Sequence, residues 1–137
     1  MPTVYLTRRA VFAASHRLHS QDLSEEENRR IFGKCNHPRG HGHNYVIEVT
    51  IKGEVDPETG IVYNLTDLKD AIEEAVMRPM DHRHLNEDVP EFAQLNPSAE
   101  NIAVVCWKRL EALLPSGLLH QVLIRETENN FAIYRGE

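Results

Sequence analysis

Apolar and polar residues alternate most cleanly from Tyr45 to Val55. Tyr45, Ile47, Val49 and Ile51 interleave with Val46, Glu48, Thr50 and Lys52, the period of two that marks a half-buried strand. The run ends in Asp56-Pro57-Glu58-Thr59-Gly60, a turn signal, and Ile61-Val62-Tyr63 reads as a short extended piece returning beside it. Val4 to Ser15 holds several β-branched and aromatic residues and reads as another strand. His120 to Glu126 and Phe131 to Tyr134, joined by Glu128-Asn129-Asn130, read as a hairpin. Two segments carry helical spacing. Thr66 is the cap candidate for the first, with Leu68, Ile72 and Val76 on one face and Pro79 as its stop. Ser98, after Pro97, caps the second; Ile102, Val105 and Leu113 face inward, and it ends near Pro115-Ser116-Gly117. Strands segregated from helices predict an α+β fold, a four-stranded antiparallel sheet with two helices on one face. Such a sheet has open edges, which favours oligomerisation.

Composition narrows the function. With 137 residues, the chain is expected to form one domain, residues 1–137. A net charge of −6 argues against a nucleic-acid or membrane-surface role. No apolar run approaches the roughly 20 residues that span a bilayer. The start, Met1-Pro2-Thr3-Val4-Tyr5, lacks a basic region followed by an apolar stretch, so a cytoplasmic location is expected. Cys35 and Cys106 match no disulfide framework. Cys106 lies in the apolar helical run Val104-Val105-Cys106-Trp107 and reads as core.

Histidine carries the chemistry. His41-Gly42-His43 leads into the clearest strand. In extended chain, residues i and i+2 share a face, so both imidazoles can aim at one point. Zinc suits such a pair, and a catalytic zinc usually takes three protein ligands and keeps one position open. His16 ends the N-terminal strand and reaches the same point if that strand pairs with the one after His43. His37, in the same loop, competes for the role. Each histidine also has a plain reading as a satisfied core or surface group. Cys35 precedes His41 by six positions, in a loop with Gly33, Pro38 and Gly40 that can fold back over a metal. It reads either as a base or nucleophile with a pKa lowered by the cation, or as a fourth ligand in a closed structural site.

Two more groups stand out. Asp81-His82 pairs a carboxylate with an imidazole, an arrangement that can orient a proton carrier. Glu126 falls on the apolar face of Val122 and Ile124, where a carboxylate needs a partner. Either an arginine such as Arg9 or a ligand with paired N–H donors would supply one, and a pterin ring has such donors.

Together these pieces resemble the 6-pyruvoyl-tetrahydropterin synthases, over nearly the whole chain. The most specific block is Phe32-Gly33-Lys34-Cys35-Asn36-His37-Pro38-Arg39-Gly40-His41-Gly42-His43-Asn44-Tyr45. Supporting blocks are Phe12-Ala13-Ala14-Ser15-His16, Asn64-Leu65-Thr66-Asp67, Met80-Asp81-His82, Ala99-Glu100-Asn101 and Glu126-Thr127-Glu128-Asn129-Asn130. The resemblance implies a zinc-dependent lyase that converts 7,8-dihydroneopterin triphosphate to 6-pyruvoyl-tetrahydropterin with release of triphosphate, in tetrahydrobiopterin biosynthesis. It implies Zn²⁺ on His16, His41 and His43, Cys35 as proton acceptor with Asp81 and His82 as its relay, and Glu126 as pterin anchor, with Ser98 and Glu100 also on the substrate. It implies the tunnelling fold, in which trimers close their sheets into a β-barrel and two trimers stack into a homohexamer, and the residues matching Cys35 and the Asp81-His82 pair meet from different subunits.

Five residues separate Cys35 from His41, which resembles the pyruvoyl type rather than the related carboxy-tetrahydropterin synthases, where three are usual. Where this family commonly has two threonines, Ser98-Ala99 stand. The triphosphate needs cations: Arg29, Arg30, Lys34 and Arg39 are near in sequence, with Mg²⁺ as an inorganic companion. The plain reading of Arg29-Arg30 is a solvated helix face paired with Glu25, Glu26 and Glu27. Rival readings are a related pterin enzyme (carboxy-tetrahydropterin synthesis or cleavage of dihydroneopterin) and a non-catalytic zinc-stabilised binding module.

Overall fold

The computed structural model describes residues 2–137. Strands β1 (Thr3–His16) and β2 (His41–Glu54) form a long antiparallel ladder in which Phe12 pairs with Tyr45, Ala14 with His43 and His16 with His41. On its other edge β2 pairs with β4 (Leu119–Thr127), which continues through a tight turn into β5 (Asn130–Tyr134). The expected N-terminal strand, central strand and C-terminal hairpin are all present. The sheet nevertheless has five strands, in the order β3-β1-β2-β4-β5, and is mixed rather than purely antiparallel. The addition is β3 (Arg83–His84), which runs parallel to Ala14 and Ser15. Two residues carry no alternation to detect.

Ile61-Val62-Tyr63 does not form a strand. Asp56 holds the preceding turn by accepting the Glu58 N–H on its side chain at 2.7 Å and the Gly60 N–H on its carbonyl at 2.7 Å. Both edges of β2 are already taken by β1 and β4, so the returning segment finds no ladder to join.

Helices cover one face. Helix α1 (Glu25–Phe32) opens with a capping box between Ser24 and Glu27. Helix α2 (Leu65–Ile72) is capped by Asn64, whose side chain accepts the Thr66 and Asp67 N–H groups; Thr66 lies inside the helix. The chain then widens into π-helical turns over Glu73–Met77 and closes as α3 (Arg78–Met80). Helical structure therefore runs through Pro79. The residue lacks a donor, and the wider turn ahead of it accommodates a ring that a regular helix interior would reject. Leu68, Ile72 and Val76 are buried as their spacing predicts. A short α4 (Leu85–Asp88) and a 3-10 turn (Pro90–Ala93) precede α5 (Ala99–Glu111). Ser98 caps α5 as expected, accepting the Asn101 N–H at 3.2 Å. Ile102 and Val105 are buried, but Leu113 is exposed. The helix ends at Glu111, the periodicity lapses, and Leu114 takes the inward position.

The core lies between this helical layer and the face of the sheet carrying Phe12, Tyr45, Ile47, Val49, Ile51, Val122 and Ile124. Cys106 is buried in it, as expected. The other face of the sheet carries no helix and leaves Tyr5, Val11, Phe131 and Ile133 exposed. No helix among the described residues is long and apolar enough to cross a membrane.

Candidate active site

The ladder between β1 and β2 creates the central cluster. His16 and His41 are direct cross-strand partners, and His43 is one pleat further along β2 opposite Ala14. All three side chains therefore leave the sheet on the core face, at its open end beyond Phe12 and Tyr45. Their ring nitrogens lie within 4.8 Å of one another, and Nε2 of His16 is 3.1 Å from Nε2 of His41.

His16 is fully buried. Its Nδ1–H donates to the Pro97 carbonyl at 2.7 Å, and the Tyr45 hydroxyl lies 3.1 Å from the same nitrogen. The carbonyl fixes the tautomer and turns the Nε2 lone pair toward the cluster, the usual second support of a metal-binding imidazole. Burial, above all, lowers the His16 pKa to about 4 despite that hydrogen bond, with the neighbouring His41 and His43 adding to the effect. His41 is lowered too, first by burial and then by His43. Both therefore stand neutral at pH 7, the form in which imidazole binds a metal.

The cluster fits a cation on a second ground. His41 Nδ1 and His43 Nε2 are buried without a hydrogen-bond partner, and such atoms in a native fold call for a ligand. Three imidazoles with nitrogens this close suit zinc or a similar divalent metal. Among the described residues this is the one group of three or more candidate ligands so arranged, and Cys35 is not part of it. His37 is also outside; it is exposed and accepts the Arg39 N–H at 3.2 Å.

Cys35 sits in the 3-10 turn Gly33–Asn36. Its carbonyl accepts the Leu18 N–H at 2.8 Å, which ties the turn to the end of β1. The next residue strengthens the tie: Asn36 is buried, and its Nδ2 lies 2.9 Å from both the Leu18 carbonyl and His19 Nδ1. Asn86 clamps the same segment by pairing with both backbone groups of Arg17, at 2.8 and 3.0 Å. Burial and then the Glu126 carboxylate push the Cys35 thiol up, so a nearby cation is needed to favour its thiolate.

Glu126 has no arginine partner among the described residues. Its Oε1 lies 3.5 Å from His43 Nε2. Asp81 and His82 do contact one another, Oδ1 to Nδ1 at 3.0 Å. Asp81 also accepts the Ala13 N–H at 2.9 Å, which together with His82 holds its carboxyl below the ordinary range. His82 donates its backbone N–H to the Ala13 carbonyl at 2.6 Å and adopts φ +60°, unusual outside glycine. Its ring projects into solvent along an open groove of about 420 Å³ that His43 also lines. Among the described residues, no hydrogen bond or ion pair joins this pair to Cys35. Ser98 spends its acceptor on the α5 cap, and Glu100 is exposed, without a polar contact to the cluster. The Pro97 carbonyl and the asparagine clamps were beyond sequence reasoning, since a backbone carbonyl has no signature and asparagines read as turn formers.

Comparison with known proteins gives the family of the chain that carries this cluster. The family profile described as 6-pyruvoyl tetrahydropterin synthase matches residues 5–137. The chain belongs to that family. A 6-pyruvoyl tetrahydrobiopterin synthase of Homo sapiens is 54% identical over 132 residues, 96% of this chain and 91% of that protein. That of Poecilia reticulata is 53% identical over 97% of this chain and 90% of its own length. Among solved structures, the 6-pyruvoyl tetrahydropterin synthase of Caenorhabditis elegans superposes with a TM-score of 0.96 at 42% identity, covering 100% of this chain and 98% of that one. Membership makes the chain a pterin enzyme, a lyase of tetrahydrobiopterin biosynthesis.

Proposed function

We propose that the chain is a single catalytic domain, residues 1–137, that uses Zn²⁺ to convert 7,8-dihydroneopterin triphosphate to 6-pyruvoyl-tetrahydropterin and triphosphate. The observation that carries the metal half of this reading is the convergence of three imidazoles whose ring nitrogens lie within 4.8 Å of one another, with His41 Nδ1 and His43 Nε2 buried and without a hydrogen-bond partner. His16, His41 and His43 would hold the ion, which when bound supplies Lewis acidity toward the side-chain oxygens of the substrate.

The chain's own residues do the rest. Glu126 accepts the paired N–H groups of the pterin, a role supported by its position on the core face without an arginine. Cys35 takes a proton from the substrate side chain, held at the rim of the cluster by the Leu18 and Asn36 bonds. Asp81 fixes His82 with Nδ1–H toward the carboxylate, which leaves Nε2 as the basic atom that carries the proton onward. Because this pair does not reach Cys35 within one chain, the relay is completed between protomers of a homo-oligomer, a hexamer of two stacked trimers. The uncovered apolar sheet face with Tyr5, Val11, Phe131 and Ile133 supports such assembly. Ser98 can still donate its hydroxyl hydrogen to substrate while its oxygen caps α5, with Glu100 beside it. The setting is cytoplasmic.

The test is anaerobic incubation of the zinc-loaded protein with 7,8-dihydroneopterin triphosphate, following triphosphate release and product mass. A diketo tetrahydropterin is the expected product. A carboxy-tetrahydropterin or a cleaved side chain would assign a related pterin reaction instead, and no product at all would refute the reading.

A further inference from the structure

We propose that a second, basic cleft beside the histidine cluster binds the oligophosphate end of the substrate, and that Arg17, Arg29 and Lys34 are its anion-binding residues. This rests on the pterin-triphosphate reading above and goes further by placing the phosphates. The cleft measures about 750 Å³ and lies between α1, the Gly33–Asn36 turn and the segment after β1. One wall is His41, so the cleft abuts the metal cluster directly. A small-molecule site commonly occupies roughly 300–1,000 Å³.

The charges in this cleft are unusual for a chain with net charge −6. Arg17, Arg29 and Lys34 line it with one acid, Glu25. None of the three cations makes an ion pair among the described residues, where the pairs are His43–Glu126, His82–Asp81 and Arg109–Glu91. The expectation that Arg29 is neutralised by glutamates on its own helix is therefore not met: Glu25 stands one turn before it, yet the two groups do not come within pairing distance. Arg17 is pre-positioned. Its Nε–H donates to the Asn36 carbonyl at 2.9 Å, which leaves the terminal guanidinium nitrogens free of protein partners. Guanidinium groups suit phosphate oxygens because their donors come as a planar fork.

Geometry also ranks the remaining candidates. Arg30, next to Arg29 on α1, lines neither this cleft nor the two beside it that His84 borders. Arg39 faces an adjoining cleft that Arg17 also borders and that takes in Asp22 and Glu87, two acids against the single Glu25 of the Arg29–Lys34 cleft. A substrate with its side chain at the cluster and its pterin toward Glu126 can run its phosphates past His41 into the Arg17–Arg29–Lys34 cleft.

The experiment uses the full-length, zinc-loaded protein and two probes: the pterin triphosphate as substrate and inorganic tripolyphosphate as inhibitor. Arg29→Ala and Lys34→Ala should each raise KM, and the inhibition constant for tripolyphosphate, by about 10- to 100-fold, the loss of one charge-assisted contact. Zinc content and the affinity for a phosphate-free reduced pterin should stay unchanged. Arg30→Gln should leave every readout at the wild-type value. Wild-type kinetics and inhibition in the Arg29→Ala/Lys34→Ala double variant would overturn the assignment, as would loss of tripolyphosphate inhibition on Arg39→Gln alone. The two readings fail separately. A wild-type protein that does not turn over, yet binds tripolyphosphate in an Arg29-dependent way, refutes the reaction and keeps the cleft. One that turns over with no dependence on Arg29 or Lys34 keeps the reaction and refutes the cleft.

Discussion

Burial of His16 should make the metal-free protein acid-sensitive, and the size of the effect follows from one group. The ring is fully buried and its pKa falls from 6.5 to about 4. At pH 7 it is neutral whether the chain is folded or unfolded. Below pH 6.5 the unfolded chain takes up a proton that the folded chain refuses, so stability drops as pH falls. The drop continues to about pH 4, where the folded form also protonates, and is constant below that. A tenfold difference in proton affinity between the two states is worth about 1.4 kcal/mol, so His16 removes on the order of 3 kcal/mol across this window. That is a large share of the roughly 5–15 kcal/mol that holds most domains folded. His41, whose pKa is lowered in the same direction, adds to the slope. The assay is urea unfolding of chelator-treated protein at fixed concentration, at half-unit steps from pH 7.5 to 4, for wild type and His16→Gln. The variant loses packing at every pH, so the informative quantity is the difference between the two curves. It should shrink by on the order of 3 kcal/mol between pH 6.5 and 4. A difference that stays constant across that range would refute the reasoning, because it would mean that His16 titrates alike in both states.

Other substitutions separate the roles of the neighbouring groups. Cys35→Ala should leave metal content at one per chain and reduce turnover by at least about 100-fold, measured by metal analysis and product formation on the same sample. Glu126→Gln should raise the dissociation constant for a reduced pterin by about 10-fold or more, the loss of a charged acceptor, read by fluorescence titration. Asn36→Leu should destabilise the fold by about 2–3 kcal/mol, because the Leu18 carbonyl and His19 Nδ1 lose their donor, and should lower kcat while zinc stays bound. Ser98→Ala should cost about 1 kcal/mol in thermal or urea unfolding through the lost α5 cap.

The pattern along the chain disclosed the sheet better than its surroundings. Alternation through Tyr45–Ile51 is strong because β2 is central and one face is buried, and the same alternation carries His41 and His43 onto the core face. The partner strand places His16 opposite His41, so the histidine cluster was legible once β1 and β2 were paired. Elements without periodicity were not legible. Arg83–His84 is two residues long, and Ile61–Tyr63 has strand-like residues but follows β2, whose two edges are occupied by β1 and β4. Pro79 is a stop signal that the preceding π-helical turns absorb. Leu113 fits the helical spacing, yet the helix has already ended.

At the site, side chains were readable and backbone was not. The Pro97 carbonyl sets the His16 tautomer from 81 positions away, and the twist at His82 shows only in its φ. Charge was misleading in one place. Arg29 follows three glutamates and reads as a neutralised helix face, whereas the fold leaves it unpaired at the mouth of a cleft.

The measurement that bears most directly on the central claim is X-ray absorption at the metal edge of the zinc-loaded protein without substrate. Three nitrogen ligands at about 2.0–2.1 Å, a light exchangeable fourth atom and no sulfur are predicted. A sulfur shell at about 2.3 Å would put Cys35 on the metal, close the site, and contradict an open centre held by His16, His41 and His43.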